Sequence, residues 1–423
     1  MPKKEWPSLL LAAASAFCVY TCIYAYRKPF TAAAFGGLSY AGIDYKVWLV
    51  VAQTAGYALS KFYGIRFVAE LKSVQRPALI LGFIAAGWLA LLLFAAVPPP
   101  FNALPLVANG FCLGVIYGLV FSYLEGRRST EVLGAVLASS FIFASGFTQS
   151  VGKYILLEWN VAERWMPFVT GAVFLVPTVL FTRLLALTPP PSEKDVQSRA
   201  PRVAMTAKDR GRMVKTFLPG LTVLTAAYVL LTVLRDYRSN FAANIWTELG
   251  VGTNAAVFTQ TEVPASLVTL VLLGALVAVK NNFRAFLLNH LIILLGFVLC
   301  IGMTVLYSKG TVSPFWWMTL TGVGLYMGYV PFNAMLFDRL LASFKSVGNA
   351  GFLIYVADSF GYLGSVAVLV VKNFTGFSVS WSDFFVQMLT VFSLIGIALV
   401  VWSAFYFRSQ YANQKSFTIG SYA

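Results

Sequence analysis

Charge is what this chain has least of. Lys, Arg, Asp and Glu together make up 11% of its 423 residues, against 59% hydrophobic, whereas a soluble domain carries about 25% charged residues. One aqueous fold cannot hide that excess, so a soluble globular protein is excluded. Cysteine is scarce too. Cys18, Cys22, Cys112 and Cys300 all fall inside apolar runs, with neither the spacing of a metal site nor the context of a disulfide scaffold. They read as small packing residues, although Cys18 and Cys22 share a helix face. The chain has no Walker A motif, dinucleotide fingerprint, HExxH or nucleophile elbow,. No enzyme, cofactor or metal site is therefore expected, nor energy from ATP bound by the chain. The net charge of +15 comes from basic residues set between apolar runs and not from a continuous stripe, which argues against a nucleic-acid partner. The first apolar run leads into Tyr26-Arg27-Lys28-Pro29 and not into a small-residue cleavage site, so it is expected to stay as a span.

What is abundant is apolar sequence in helical lengths. Roughly 20 apolar residues cross the hydrocarbon core, which leaves room for about twelve spans. Runs bordered by Gly, Pro or charge place them at 8–27, 47–69, 77–97, 103–124, 132–157 and 165–187, then 217–239, 255–279, 284–307, 314–337, 347–372 and 383–407,. Between the sixth and seventh lies Pro189-Pro190-Pro191 and a basic polar stretch. The expected organisation is an N-terminal six-helix bundle over 1–188, a cytoplasmic linker over 189–214 and a C-terminal bundle over 215–423. Lys and Arg concentrate on one side: Lys3, Lys4, Lys72, Arg76, Arg127, Arg128, the linker, Lys280, Arg284, Arg339, Lys345, Arg408 and Lys415. That side is expected to be cytoplasmic, with both termini.

The halves echo each other, as in transporters built from repeats related by an axis normal to the membrane. Tyr20, Tyr24 and Arg27 are spaced i, i+4, i+7 in the first span, and Tyr228, Thr232 and Arg235 repeat that spacing in the seventh,. A rival register pairs Tyr26–Phe30 with Tyr237–Phe241 and makes Arg238 the counterpart of Arg27; Arg235 is favoured. Gly114 and Gly118 in the fourth span match Gly324 and Gly328 in the tenth, where small residues permit close helix approach.

A charge at the bilayer centre costs about 2.5–3.5 kcal/mol on insertion scales and usually faces the bundle interior. Arg27 and Arg235 are therefore candidates for an anion clamp, because guanidinium stays charged and its planar fork meets phosphate or carboxylate oxygens in pairs. The plain alternative is snorkelling to the headgroups. Glu262, at the start of the eighth span, is a candidate for charge balance or proton coupling. Asp358, mid-span, is a candidate for coupling or gating, set against a structural hydrogen bond. Tyr20, Tyr24 and Tyr362 lie near the clamp. His290 reads as a polar helix-end residue near the cytoplasmic end of the ninth span, and Trp316 and Trp317 as interfacial belt residues.

Four stretches carry a resemblance to a known family: Tyr24-Ala25-Tyr26-Arg27-Lys28-Pro29-Phe30, Ser60-Lys61-Phe62-Tyr63-Gly64, Tyr228 to Arg235 with Glu262 and Pro264, and Phe360-Gly361-Tyr362-Leu363-Gly364. Their order and separation resemble the organophosphate:phosphate antiporters of the major facilitator superfamily, through most of the chain. The sequence departs from that pattern at Phe67-Val68-Ala69-Glu70-Leu71, at Ser145 and at Thr232, as a divergent member would. The resemblance implies an all-α membrane protein of major facilitator fold, with twelve helices in two pseudo-symmetric bundles. It also implies Arg27 and Arg235 at the phosphate, Lys61 and Tyr362 lining the cavity, and Glu262 balancing the arginines.

The expected function is secondary active transport of a small organic anion, a phosphorylated metabolite above others, by alternating access and in exchange for phosphate. The alternatives are a proton-coupled symporter of a carboxylate or other small solute, and a transporter-like membrane sensor. Expected partners are the anionic solute, the lipid bilayer, and protons or inorganic phosphate as coupling ion. The protein is expected to act as a monomer in a bacterial plasma membrane.

Overall fold

The computed structural model describes residues 6–69, 75–124, 127, 129–190, 195, 207–345, 350–374 and 379–420. Its elements are α1 (Trp6–Tyr24), a 3₁₀ turn (Pro29–Ala32), a two-stranded hairpin of β1 (Ser39–Tyr40) and β2 (Ile43–Asp44), α2 (Tyr45–Ala69), α3 (Arg76–Ala96), α4 (Ala103–Leu124) and α5 (Thr130–Glu158). There follow α6 (Met166–Val173), α7 (Leu175–Ala186), α8 (Ala207–Asn240), α9 (Ala242–Glu248), α10 (Val257–Val277) and α11 (Asn282–Ser308). The chain closes with α12 (Pro314–Pro331), a π-helical turn (Phe332–Leu336), α13 (Phe337–Ser343), α14 (Ala350–Phe374) and α15 (Trp381–Gly420). Every apolar run of the sequence is covered by a helix or a broken helix. Among the described residues, nine helices are long and apolar enough to cross a membrane, or ten when α6 and α7, bent by 48°, count as one. The two other runs are α2, which carries Lys46, Lys61 and Arg66, and α12, rich in Trp, Tyr, Gly and Pro.

Helix ends and breaks follow from proline. The first helix stops at Tyr24 and not at 27: Ala25, Tyr26 and Arg27 close tight turns onto Cys22, Ile23 and Tyr24, and Pro29 opens the 3₁₀ turn that follows, where its missing N–H leaves no bond unmade,. Pro177 cannot donate to the carbonyl of Val173, and the sixth run breaks at Phe174,. Pro331 cannot donate to Met327, and the ladder widens into the π turn directly after it,. The predicted linker over 189–214 lies largely outside the described residues, and its last part, from Ala207, already belongs to α8.

Contacts divide the chain into two compact units. One comprises Met1–Arg199, Asp236–Leu270 and Val366–Phe384; the other Ala200–Arg235, Val271–Ser365 and Phe385–Ala423. In the first unit, α2 and α4 meet backbone to backbone. A Cβ on Gly56 would stand 1.9 Å from the Val107 carbonyl oxygen, and one on Gly110 2.1 Å from that of Gln53. Around this seam Ile23, Ile84, Leu113, Ile116, Leu137 and Leu185 form the apolar core.

In the second unit, α11 and α12 approach as closely: a Cβ on Gly296 would lie 2.5 Å from Gly324 O. The glycines of the Phe360–Gly364 stretch serve the same end. A Cβ on Gly364 would lie 2.6 Å from Val229, and one on Gly361 3.0 Å from Thr232, so they let α14 close on α8. Trp316 is 54% exposed, as a belt residue should be, but Trp317 is 0% exposed. It stacks on Tyr307 with ring centroids 4.2 Å apart and donates to Thr304. Adjacent helix positions point about 100° apart, so only one of the pair can face lipid.

Candidate functional site

In the first unit, Arg27 sits in the turn after α1 and is half-buried. Its guanidinium lies over the Tyr57 ring, 4.1 Å from the centroid, with Tyr24 at 5.7 Å. Tyr20 packs on Tyr24 and Tyr117, with centroids 5.4 and 5.6 Å away. The backbone that presents Arg27 is fixed by two buried amides. Gln53 donates to the Arg27 carbonyl at 3.0 Å and to Asn109 Oδ1 at 2.8 Å; Asn109 donates to Tyr26 O and Gly87 O at 3.0 and 2.9 Å. A cation over an aromatic face gains about 0.5–2 kcal/mol. The tethered turn therefore holds the guanidinium plane in one orientation.

Arg238, also in the first unit, is placed differently. It forms a buried ion pair with Glu262, the two side chains 4% and 7% exposed, while Glu262 Oε2 has no hydrogen-bond partner. The segment after Arg238 is gripped by side chains from the first half of the sequence. Lys28 Nζ donates to Ser239 Oγ and Asn240 Oδ1, both at 2.8 Å. Gln149 donates to Ser239 O at 2.8 Å and Ser145 shares a hydrogen bond with Ser239 at 3.2 Å. Lys46, fully buried, donates to Thr31 O, Ala33 O and Asn244 Oδ1 at 3.0, 2.7 and 2.6 Å. Below them α5 touches α10: a Cβ on Gly146 would lie 2.4 Å from Phe258 O, and Ser266 donates to Ser139 O. Together these contacts make a polar seam. At its edge, burial raises the carboxyl of Asp44 above the ordinary carboxylate range,.

In the second unit, the guanidinium of half-buried Arg235 lies over Tyr329, 3.9 Å from the centroid. Tyr329 stacks on Tyr228, with centroids 5.2 Å apart. The Tyr228 hydroxyl donates to Asp358 Oδ1 and accepts from Asn333 Nδ2 at 3.1 Å. Asp358 has no ion-pair partner among the described residues.

Each unit thus presents one of the two expected arginines over the ring of a tyrosine. Tyr20, Tyr24 and Arg27 are brought together, as are Tyr228, Arg235 and Asp358. Tyr362 is half-buried on α14. The side chain of Lys61 lies outside the described residues. His290 is buried inside α11, with one ring nitrogen against Phe286 O and the other against Ser403 Oγ; both nitrogens are used inside the helix packing and none faces a headgroup. Sequence reasoning passed over Gln53, Tyr57, Asn109, Tyr329 and Asn333. For Gln53, Asn109 and Asn333 a signal existed, a polar amide inside an apolar run. The stacking tyrosines had none, since their spacing to the arginines is tertiary.

A family described as "Family of unknown function (DUF5690)" matches residues 29–410. The chain belongs to that family. No curated protein sequence matches it. Among solved structures, a D-xylose-proton symporter aligns with this DUF5690 chain at a TM-score of 0.60 and 14% identity, covering 94% of this chain and 96% of that one. The alignment establishes the fold: the DUF5690 chain is a multi-pass, all-α membrane protein of major facilitator fold.

Proposed function

We propose that this protein is a secondary transporter that moves a small organic anion by alternating access, with Arg27 and Arg235 holding the anionic group. The observation that carries this reading is the matched placement of the two arginines. Each is partly buried and lies over a tyrosine, at 4.1 and 3.9 Å, whereas Arg238 is 3% exposed and bound to Glu262. That contrast favours Arg235 over Arg238 as the counterpart of Arg27, in keeping with the repeated Tyr-x₆-Arg spacing. A bound anion lowers the repulsion between two cations, so it favours any state that brings them nearer, and ligand binding can shift the population between states. The moving bodies are the two six-helix halves, 1–188 and 215–423, with both termini cytoplasmic on the Lys and Arg count.

The motifs shared with organophosphate:phosphate antiporters make a phosphorylated metabolite the first cargo to try, in exchange for phosphate. The second reading is proton-coupled symport, supported by Asp358, a buried carboxylate that meets Tyr228 and no described cation, and by the proton symporter among the fold's neighbours. The deciding experiment is exchange of radiolabelled inorganic phosphate in proteoliposomes loaded with unlabelled phosphate. Saturable exchange in the native protein, lost in Arg27→Gln and in Arg235→Gln with membrane insertion intact, is the expected result. Full activity in both variants sinks the clamp. Uptake that collapses when the pH gradient is dissipated replaces exchange by symport.

A further inference from the structure

The π turn Phe332–Leu336 carries a consequence for what the site selects. A π turn adds a residue to the helical ladder and re-aims the side chains around it. Here it delivers Asn333, half-exposed, to the hydroxyl of Tyr228, which is 1% exposed. The hydrogen bonds then run in one direction. Asn333 Nδ2 donates to the Tyr228 oxygen at 3.1 Å, and Tyr228 gives its only proton to Asp358 Oδ1,. One Asn333 N–H and the Tyr228 proton are used along this chain, and carboxylate and amide oxygens remain as acceptors,. Asn333 Oδ1 stands 3.5 Å from the same hydroxyl, beyond the usual range, and that proton is already committed to Asp358,. Asp358 carries a second oxygen and meets no cation among the described residues. On the other side of the same tyrosine stack, Arg235 offers only donors, over Tyr329,.

We propose that Asn333 and Asp358 form an acceptor pole that reads a hydrogen-bond donor on the solute, a hydroxyl or an ammonium group, while Arg235 takes the anionic group of the same molecule. The cargo class is then an organic anion bearing a donor group a few bonds from its charge. This rests on the anion-binding reading above and narrows it. A site built to hydrogen-bond a donor rejects the analogue that lacks it, because acceptors that the bound solute shields from water are then left unpaired.

The test uses three isosteric phosphate esters, propyl, hydroxyethyl and aminoethyl phosphate, titrated calorimetrically into the purified full-length protein. Hydroxyethyl or aminoethyl phosphate is expected to bind about tenfold or more tighter than propyl phosphate, and whichever of the two wins identifies the donor. The affinity ratio should collapse toward one in Asn333→Ala and in Asp358→Ala, two variants that guard against one failing to fold. Equal binding of all three esters overturns the acceptor pole and leaves the anion transporter standing. A preference that survives in both variants overturns the assignment to these residues. If no ester binds, butyrate, hydroxypropionate and aminopropionate decide the matter by the same ratio. Failure of both series removes the anion site itself and the acceptor pole with it.

Discussion

At the scale of single residues, the arginines divide by what they touch. Arg27 and Arg235 lie over tyrosine faces, a stacking that orients the guanidinium,. Lysine would keep the charge and lose both the fork and the stacking. Arg27→Lys and Arg235→Lys should therefore each weaken anion binding about tenfold, some 1.4 kcal/mol, by titration calorimetry; unchanged affinity would mean that charge alone matters. Arg238 answers to a different rule. Removing one partner of a buried ion pair typically costs about 3–5 kcal/mol, whereas replacing both with apolar residues is often neutral. Glu262→Leu alone should lower the yield of folded protein, and Arg238→Leu with Glu262→Leu should restore it in thermal unfolding. A double variant as unstable as the single one would show that the pair does more than satisfy itself. The tryptophans make a simpler contrast. Trp317→Ala should destabilise by about 3–5 kcal/mol and Trp316→Ala by about 0.5 kcal/mol or less.

At the scale of elements, the apolar runs were legible because lipid demands a continuous apolar segment of fixed length with its backbone satisfied internally. The glycines in them were legible as small residues but not as seams, since nothing in the chain says which helix each one faces. Gly56 and Gly110 turn out to admit the backbone of the neighbouring helix, and Gly82 has nothing within 4 Å. Gly56→Ala should accordingly push α2 from α4 and reduce folded yield. Gly82→Ala should be neutral or gain up to about 1 kcal/mol from helix propensity alone. Fluorescence-detected size exclusion with a temperature series separates these outcomes, and equal behaviour of the two variants would refute the close approach. The breaks at Phe174 and after Pro331 were visible in principle as prolines inside apolar runs. Their form, a bend in one and a π turn in the other, depends on the packing around them.

At the scale of the whole molecule, the first unit holds segments from both halves of the sequence, Asp236–Leu270 and Val366–Phe384 alongside Met1–Arg199. Met1–Arg199 is joined to Asp236–Leu270 by hydrogen bonds from lysine, serine and glutamine to neutral oxygens, while Trp381 and Ser382 donate their backbone N–H groups to the Glu248 carboxylate. Hydrogen bonds to neutral groups exchange readily for water, which suits a seam that would open under the proposed alternating access. Ser145 and Ser239, 3.2 Å apart, give the test. Cysteines at both positions, with the four native cysteines replaced, should form a disulfide under oxidant and arrest transport, and reductant should restore it. Transport that continues through a demonstrated cross-link would show that this seam need not part.

The sequence alone determined the membrane fold, the number of apolar runs and the pair of arginines at matching places in the halves. Each of these depends on composition or spacing along one helix, where lipid and helical period leave few solutions. Only the tertiary structure decided that Arg238 belongs to Glu262, that Trp317 is core, that Gln53 and Asn109 hold Arg27, and that a π turn carries Asn333 to Tyr228. Those are choices of partner between segments tens to more than a hundred residues apart, and a partner is set by how helices pack, which no single run of sequence encodes.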